Sequence, residues 1–132
     1  MARVLTAWIK RQDVPDRQAL QKAIKALGVP LSLDEAYAPF ETAGYLPCTL
    51  DGEDAGFDLR FKQGQTPAPE ILAQLNGRDV AMTCKWGGDP REDAAASLFC
   101  AALVKSFGAL AQQDDAFITA EALLARAEAV LE

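Results

Sequence analysis

The sequence predicts an α+β protein with a mixed or antiparallel sheet of about four or five strands and helices packed mainly on one face, a ferredoxin-like variation. Apolar residues at every second position predict strands, and turn residues between two such segments predict a hairpin. Apolar residues at helical spacing occur on both sides of them, but strand and helix alternate too irregularly for a doubly wound sheet. Because 132 residues are too few for two ordinary domains, we expect one domain, residues 1–132.

The first third of the chain predicts a strand, a helix and a second short strand. Residues 4–9 are rich in β-branched and aromatic residues, which favours a strand over the alternative helix. Residues 17–27 have apolar residues on one helical face and end before Gly28. Residues 31–33 alternate as a short strand, whereas the prolines and the glycine within residues 34–47 predict irregular structure.

The middle of the chain predicts a hairpin. Residues 48–50 are followed by an acidic turn at residues 51–56. Phe57, Leu59 and Phe61 then alternate with charged residues, which is typical of an antiparallel strand with one face in water. We expect the segments before and after the acidic turn to pair with each other.

Three further elements follow the hairpin. Residues 64–69 predict a loop, and residues 70–75 a short helical turn that ends at Asn76-Gly77. Residues 78–86 alternate between apolar and polar positions and predict a strand.

The sequence after this strand predicts the start of a long helix. Gly87-Gly88 turns the chain, Asp89 is a typical N-cap, Pro90 fits the first helical position and Glu92 can complete a capping box. We expect the helix to end at Gly108. Its predicted core stripe is Ala95, Leu98, Phe99, Ala102, Leu103 and Phe107.

The C-terminal part predicts a short return to the sheet and a last helix. Residues 109–111 are the candidate strand, and residues 120–131 form an amphipathic helix capped by Thr119.

The absence of histidine limits the chemistry most strongly. It removes Ser-His and Cys-His nucleophile pairs, zincin-type metal sites and the usual general base at pH 7. The net charge of −6 disfavours nucleic acid and anionic membranes as partners, because both would repel the chain. We therefore expect no enzyme, no cofactor and no metal.

The three cysteines, Cys48, Cys84 and Cys100, predict buried structural thiols. Their number is odd, no CxxC spacing is present, and the N-terminus lacks the hydrophobic run of a signal peptide, so we expect a cytoplasmic protein. Lys85 is the one cation directly beside a cysteine, which is insufficient evidence for a catalytic thiolate.

Two segments match binding motifs only in part. Residues 51–56 begin like a calcium loop, but Lys62 stands where that loop requires a bidentate glutamate, so an acidic turn is favoured. Residues 87–89 lie where phosphates often bind, yet they match neither GxGxxG nor GxxxxGK[ST], so a helix cap is favoured.

Adjacent carboxylates are a further candidate for acid-base chemistry. The pairs Glu92/Asp93 and Asp114/Asp115 would need burial to separate their pKa values. Nothing in the sequence predicts such burial, so solvated acids are favoured.

Several strings between positions 44 and 110 resemble one known family. They are Gly44-Tyr45-Leu46-Pro47-Cys48-x-Leu50-Asp51-Gly52, Ala55-Gly56-Phe57-Asp58, Trp86-Gly87-Gly88-Asp89, Ala94-Ala95-Ala96 and Ala101-Ala102-Leu103. They are similar to small bacterial immunity proteins encoded beside polymorphic or secretion-system toxins. The resemblance implies a non-enzymatic cytoplasmic protein that binds and neutralises its cognate toxin. It includes no catalytic motif and assigns no contact residue.

The acidic excess is compatible with that family, because a negative surface speeds association with a basic toxin. We expect the electrostatic contacts on the central hairpin and on a later loop. The predicted partner-binding residues are Asp51, Glu53, Asp54, Asp58, Asp114 and Asp115.

Two other function classes stay open. A self-associating scaffold or accessory protein would form a homodimer through an exposed sheet edge or helix face. A small-molecule-binding domain would use an aromatic pocket around Trp86, Tyr45 and Phe40, although each of these residues alone is more typical of a core or a loop anchor.

Overall fold

The computed structural model describes residues 3–63 and 67–131, which form four helices and two antiparallel sheets. The strands are β1 (Arg3–Ile9), β2 (Leu31–Leu33), β3 (Ala43–Leu46), β4 (Cys48–Leu50), β5 (Glu53–Asp54), β6 (Phe57–Gln63), β7 (Val80–Trp86), β8 (Leu110–Gln113) and β9 (Ala116–Ile118). The helices are α1 (Arg17–Ala26), α2 (Pro69–Leu72), α3 (Pro90–Phe107) and α4 (Ala120–Leu131). The predicted α+β class is confirmed.

The main sheet has six strands in the order β3-β6-β7-β1-β8-β9, and each neighbouring pair is antiparallel. The expected four or five strands were too few, because the edge strands β3 and β9 lie in segments rich in turn residues. The described strands do not show the expected ferredoxin-like arrangement. A hairpin adds β9 at one edge of the main sheet, β3 forms the other edge, and a second sheet takes up part of the chain between β1 and β6.

The second sheet consists of β2, β4 and β5 in that order. The predicted hairpin is therefore wrong: β4 pairs with β5, which lies inside the predicted turn, and β6 pairs with β3 and β7. The acidic segment is long enough to hold a strand of its own. The chain then changes sheets at Ala55 and Gly56 instead of folding back onto β4.

Most other predicted elements are confirmed. The strands expected at residues 4–9 and 78–86 correspond to β1 and β7, and the return to the sheet corresponds to β8. The expected helical turn corresponds to α2. The predicted loop at residues 64–69 lies partly outside the described residues, at positions 64–66.

Helix α3 is surrounded by other elements on all sides. It begins as predicted, because the Asp89 side chain accepts a hydrogen bond of 2.8 Å from the Arg91 backbone, and Gly108 ends it with a φ of 72°. The residues from Asp93 to Leu103 are all buried, so the predicted apolar stripe was too narrow. The helix contacts the main sheet, the second sheet, α1 and α4.

Both flanking helices are capped as the sequence predicts. Asp16 accepts a hydrogen bond of 2.8 Å from the Ala19 backbone at the start of α1. Thr119 accepts one of 3.1 Å from the Ala122 backbone at the start of α4. Helix α3 packs on one face of the main sheet, which we call the inner face, and α1 and α4 pack against α3.

The opposite face of the main sheet, the outer face, is covered only in part. Ile71 and Leu75 pack against Trp8 and Ala81 at one end of the sheet. Towards the other end, Val4 is 39% exposed. The sheet therefore presents an open surface to water across several strands.

Gly56 lies where the chain passes from the second sheet to the main sheet. A Cβ atom at this position would overlap the ring of Tyr45 and lie 2.5 Å from the carbonyl oxygen of Leu46. A side chain of any size is therefore excluded unless β3 moves, and glycine is needed here for close approach of two strands.

We expect Gly56→Ala to lower the free energy of unfolding by about 1–3 kcal/mol, the usual cost of overpacking, because the Leu46 carbonyl belongs to the backbone and cannot swing aside. Urea unfolding followed by circular dichroism measures the change. Gly87→Ala is the matched control, since a Cβ there meets nothing within 4 Å and should change stability by less than about 0.5 kcal/mol. Equal costs for the two variants would contradict the close approach.

Candidate partner-binding site

Three of the predicted contact residues lie together on the β4–β5 hairpin. Asp51 and Gly52 form its turn with φ values of 54° and 81°, and Asp51, Glu53 and Asp54 are all exposed. Arg91 at the start of α3 lies 3.4 Å from the Glu53 carboxylate and also donates to the carbonyl oxygen of Leu50. The hairpin is therefore attached to α3, and its acids are presented from a fixed position.

A shallow groove runs beside this hairpin on the outward face of the second sheet. The register places Ser32, Thr49 and Asp54 side by side across β2, β4 and β5. Asp34 also lines the groove, whose volume is ≈ 220 Å³. Its lining residues include two hydroxyls and two carboxylates but no lysine or arginine. Such a surface attracts a cationic group such as a lysine or arginine side chain.

The other three predicted contact residues lie elsewhere. Asp58 is on the outer face of the main sheet, where its carboxylate accepts a hydrogen bond of 3.0 Å from Arg60. Asp114 and Asp115 form the β8–β9 turn and are exposed. The Asp114 carbonyl oxygen accepts a hydrogen bond of 2.8 Å from Gln112. The structure therefore does not unite the six acids into one surface, and only the hairpin acids adjoin the acidic groove.

The prediction that Asp93 is solvated is wrong, because its side chain is buried, and the polar cluster around it was not predicted. Its carboxylate lies 3.1 Å from Arg126 Nε and 3.6 Å from Arg3 Nη1. Ser97 Oγ lies 3.3 Å from the same carboxylate, and Arg126 also donates to Ser97 and to Gln113. The available signal was the spacing: Asp93 and Ser97 are four residues apart on one helix and therefore share a face. This cluster joins α3, α4, β1 and β8.

A cavity of ≈ 240 Å³ opens next to this cluster, between the end of β7 and the start of α3. Trp86, Arg3 and Arg126 line it together with Asp89 and Asp93. Two arginines face two aspartates, so the lining has no net preference for an ion of either sign. We interpret the cluster as structural.

The candidate aromatic pocket is not assembled. Trp86 is on the inner face and 5% exposed, whereas Tyr45 is 59% exposed on β3. Phe40 packs on Phe61, with 5.5 Å between the ring centroids. The three aromatic residues therefore serve separate parts of the fold.

The cysteines are buried, as predicted. Cys84 faces the core while the neighbouring Lys85 is exposed on the outer face, so this lysine does not activate the thiol. Burial, with a smaller contribution from Asp34, raises the pKa of Cys48 to about 12. Burial and the Cys100 thiol, whose sulfur is 3.9 Å away, raise the pKa of Cys84 well above its ordinary value.

The described residues were also compared with the requirements of metal sites and membrane spans. No group of three or more His, Cys, Asp or Glu side chains among them is arranged to hold a metal ion. None of the helices in residues 3–63 and 67–131 has both the length and the apolar character needed to cross a bilayer.

No protein-family model matches the chain, and no curated protein or solved structure matches it either.

We expect Arg126→Ala to lower the free energy of unfolding by about 2–4 kcal/mol, because it leaves the buried Asp93 carboxylate without its closest cation. Thermal and urea unfolding measure the loss. Arg3→Ala is the control: its side chain is 63% exposed, so we expect a cost below about 1 kcal/mol. A larger cost for Arg3→Ala than for Arg126→Ala would contradict this assignment.

We expect the thiols of the folded protein to resist Ellman's reagent at pH 8. Their raised pKa values keep Cys48 and Cys84 protonated, and burial excludes the reagent from all three thiols. The absorbance of the coloured thiolate that Ellman's reagent releases should rise only after urea has unfolded the protein. Rapid labelling of one thiol without urea would show an accessible thiolate instead.

Proposed function

We propose that the protein is a non-enzymatic immunity protein that binds a cognate bacterial toxin through a basic surface of that toxin and so neutralises it. The observation that carries the proposal is the acidic groove of the second sheet with the adjoining hairpin. Asp34 and Asp54 face one groove with no cation in its lining, and Asp51 extends the same negative surface. The sequence resemblance to immunity proteins supports the same conclusion.

Electrostatics favour this surface over Asp58 as the main contact. Glu53 is 74% exposed and its ion pair with Arg91 leaves it largely in water. Asp58, by contrast, is paired with Arg60 in the same strand, which partly neutralises it. A basic partner is therefore attracted over a long range by the net charge of −6 and locally by the second sheet.

The second sheet also suits binding mechanically. Leu31, Leu33 and Leu50 anchor its inward face in the core, and each is at most 3% exposed. Its outward polar residues are thus held on a rigid support, which lowers the entropy lost when a partner binds.

Self-association is a second candidate, because β3 and β9 are the uncovered edges of the main sheet in the described part of the chain. An edge strand offers unpaired backbone groups to a second copy. A concentration-dependent mass in analytical ultracentrifugation would favour this function.

The test uses the tagged chain as bait in its native bacterium, with mass spectrometry of the captured proteins. We expect one basic protein at 1:1 ratio. Its expression alone should arrest growth, and co-expression of the chain should restore growth. Failure to capture a partner, or capture of a protein that is harmless when expressed alone, would contradict the proposal.

The contact surface is then tested by removing its charge. Asp51→Asn/Glu53→Gln/Asp54→Asn should weaken binding of the captured toxin about tenfold or more at low salt, with a smaller effect at high salt. Asparagine tolerates the positive φ of Asp51. Asp13→Asn/Glu121→Gln/Glu128→Gln is the control, because it removes the same charge from exposed residues elsewhere. Equal losses would leave the toxin-binding function intact but exclude this surface.

A further inference from the structure

We propose that the outer face of the main sheet is a second docking surface, which binds an extended acidic segment of a partner protein. This face carries an open groove of ≈ 360 Å³, larger than the groove on the second sheet. Its lining includes Val4, Thr6, Lys62, Thr83 and Lys85. The inference does not depend on the toxin-binding function, since it concerns a different sheet and a partner of opposite charge.

The strand register assembles this surface from residues far apart in sequence. One row across the sheet consists of Tyr45, Asp58, Lys85 and Val4, on β3, β6, β7 and β1. The next row on the same face consists of Arg60, Thr83, Thr6 and Gln112. These two rows lie beyond the end of the sheet that α2 covers. Lys62 lies in the next row, with Ala81 and Trp8, at the border of the covered part. A segment can therefore lie across the two open rows and end at Lys62.

The charge of this face is opposite to that of the whole chain. Lys62 and Lys85 form no ion pair with any described residue. Arg60 is the partner of Asp58, which also lies opposite Lys85 in the strand register, and Asp115 lines the same groove. Three cations against two carboxylates leave the face with a small positive excess in a chain of net charge −6.

The spacing of the two lysines matches an extended peptide. Lys62 pairs in register with Ala81, four residues from Lys85 along β7. At about 3.3 Å per residue the two backbone positions are about 13 Å apart along the strand direction. An extended peptide places side chains four residues apart at the same distance and on the same face.

The uncharged part of the face offers contacts to a polypeptide. Val4 and Tyr45, at the two ends of one row, are 39% and 59% exposed and offer apolar contacts to side chains. Asp115 at the β8 side of the groove directs the acids of the segment towards β6 and β7.

The test is binding of a fluorescein-labelled octaglutamate peptide to the whole chain, measured by fluorescence anisotropy at low and high salt. We expect salt-sensitive binding and amide shift changes in NMR spectra confined to β1, β6, β7 and β8. Lys62→Glu/Lys85→Glu should weaken binding about tenfold, from the loss of two charge pairs and the added repulsion. Lys22→Glu/Lys105→Glu has the same net charge on exposed helix positions and should change binding less than about twofold.

Four results would overturn the proposal. They are no peptide binding by the wild type, equal weakening in the two double variants, tighter binding of an octathymidylate oligonucleotide than of the peptide, and self-association of the chain alone that Lys62→Glu/Lys85→Glu abolishes. The last would make a second copy the occupant. Circular dichroism melting of each variant confirms that it is folded. Lys62→Glu/Lys85→Glu should still neutralise the toxin, so loss of peptide binding in this variant is distinguishable from failure of the toxin-binding function.

Discussion

The structure depends on the burial of the middle of one helix, α3, from Asp93 to Leu103. Eleven consecutive residues of this helix, from Asp93 to Leu103, are buried, because two sheets and two helices surround it. Five of them are alanines, whose small side chains allow neighbouring backbones to approach closely. Phe99 supplies the bulk that they lack, with its ring centroid 5.2 Å from that of Phe57. The position of each sheet is therefore set by how closely it packs on this helix.

A helix that is buried all round has no polar face for water, so its polar side chains need partners from the surrounding elements. Asp93 and Ser97 obtain theirs from Arg126 of α4. At the exposed beginning of α3, Arg91 is bonded to the second sheet. The charged groups around α3 thus fix the relative positions of α4 and the second sheet, while the apolar contacts between them are non-directional.

The sequence predicts those features that depend on local patterns. Alternation identifies β6 and β7, β-branched and aromatic composition identifies β1, and the residues Asp16, Asp89 and Thr119 identify helix starts, because each signal acts within a few residues. Sheet membership is not local. Residues on β4 and β6 have the same alternation, yet the two strands belong to different sheets, and the chain passes between these sheets at Gly56, which packs closely against β3. The hairpin acids could be predicted together because they are neighbours in the sequence. Asp34 and the lysines of the outer face join their surfaces only through strand pairing, so the sequence did not reveal these surfaces.

The division into two sheets also separates charge. Asp34 and Asp54 lie on the second sheet in a groove that no lysine or arginine lines, whereas Lys62 and Lys85 lie on the outer face of the main sheet and form no ion pair with a described residue. A chain with this distribution has a net charge of −6 and also an electrostatic potential that differs between the two sheets. A basic partner is then attracted to one side and repelled from the other, so encounter and orientation are favoured together. The basic toxin bound at the second sheet could also place an acidic segment on the outer face of the main sheet, but only if the toxin is large enough to contact both sheets. The two surfaces therefore constrain the shape of a single partner or require two different ones.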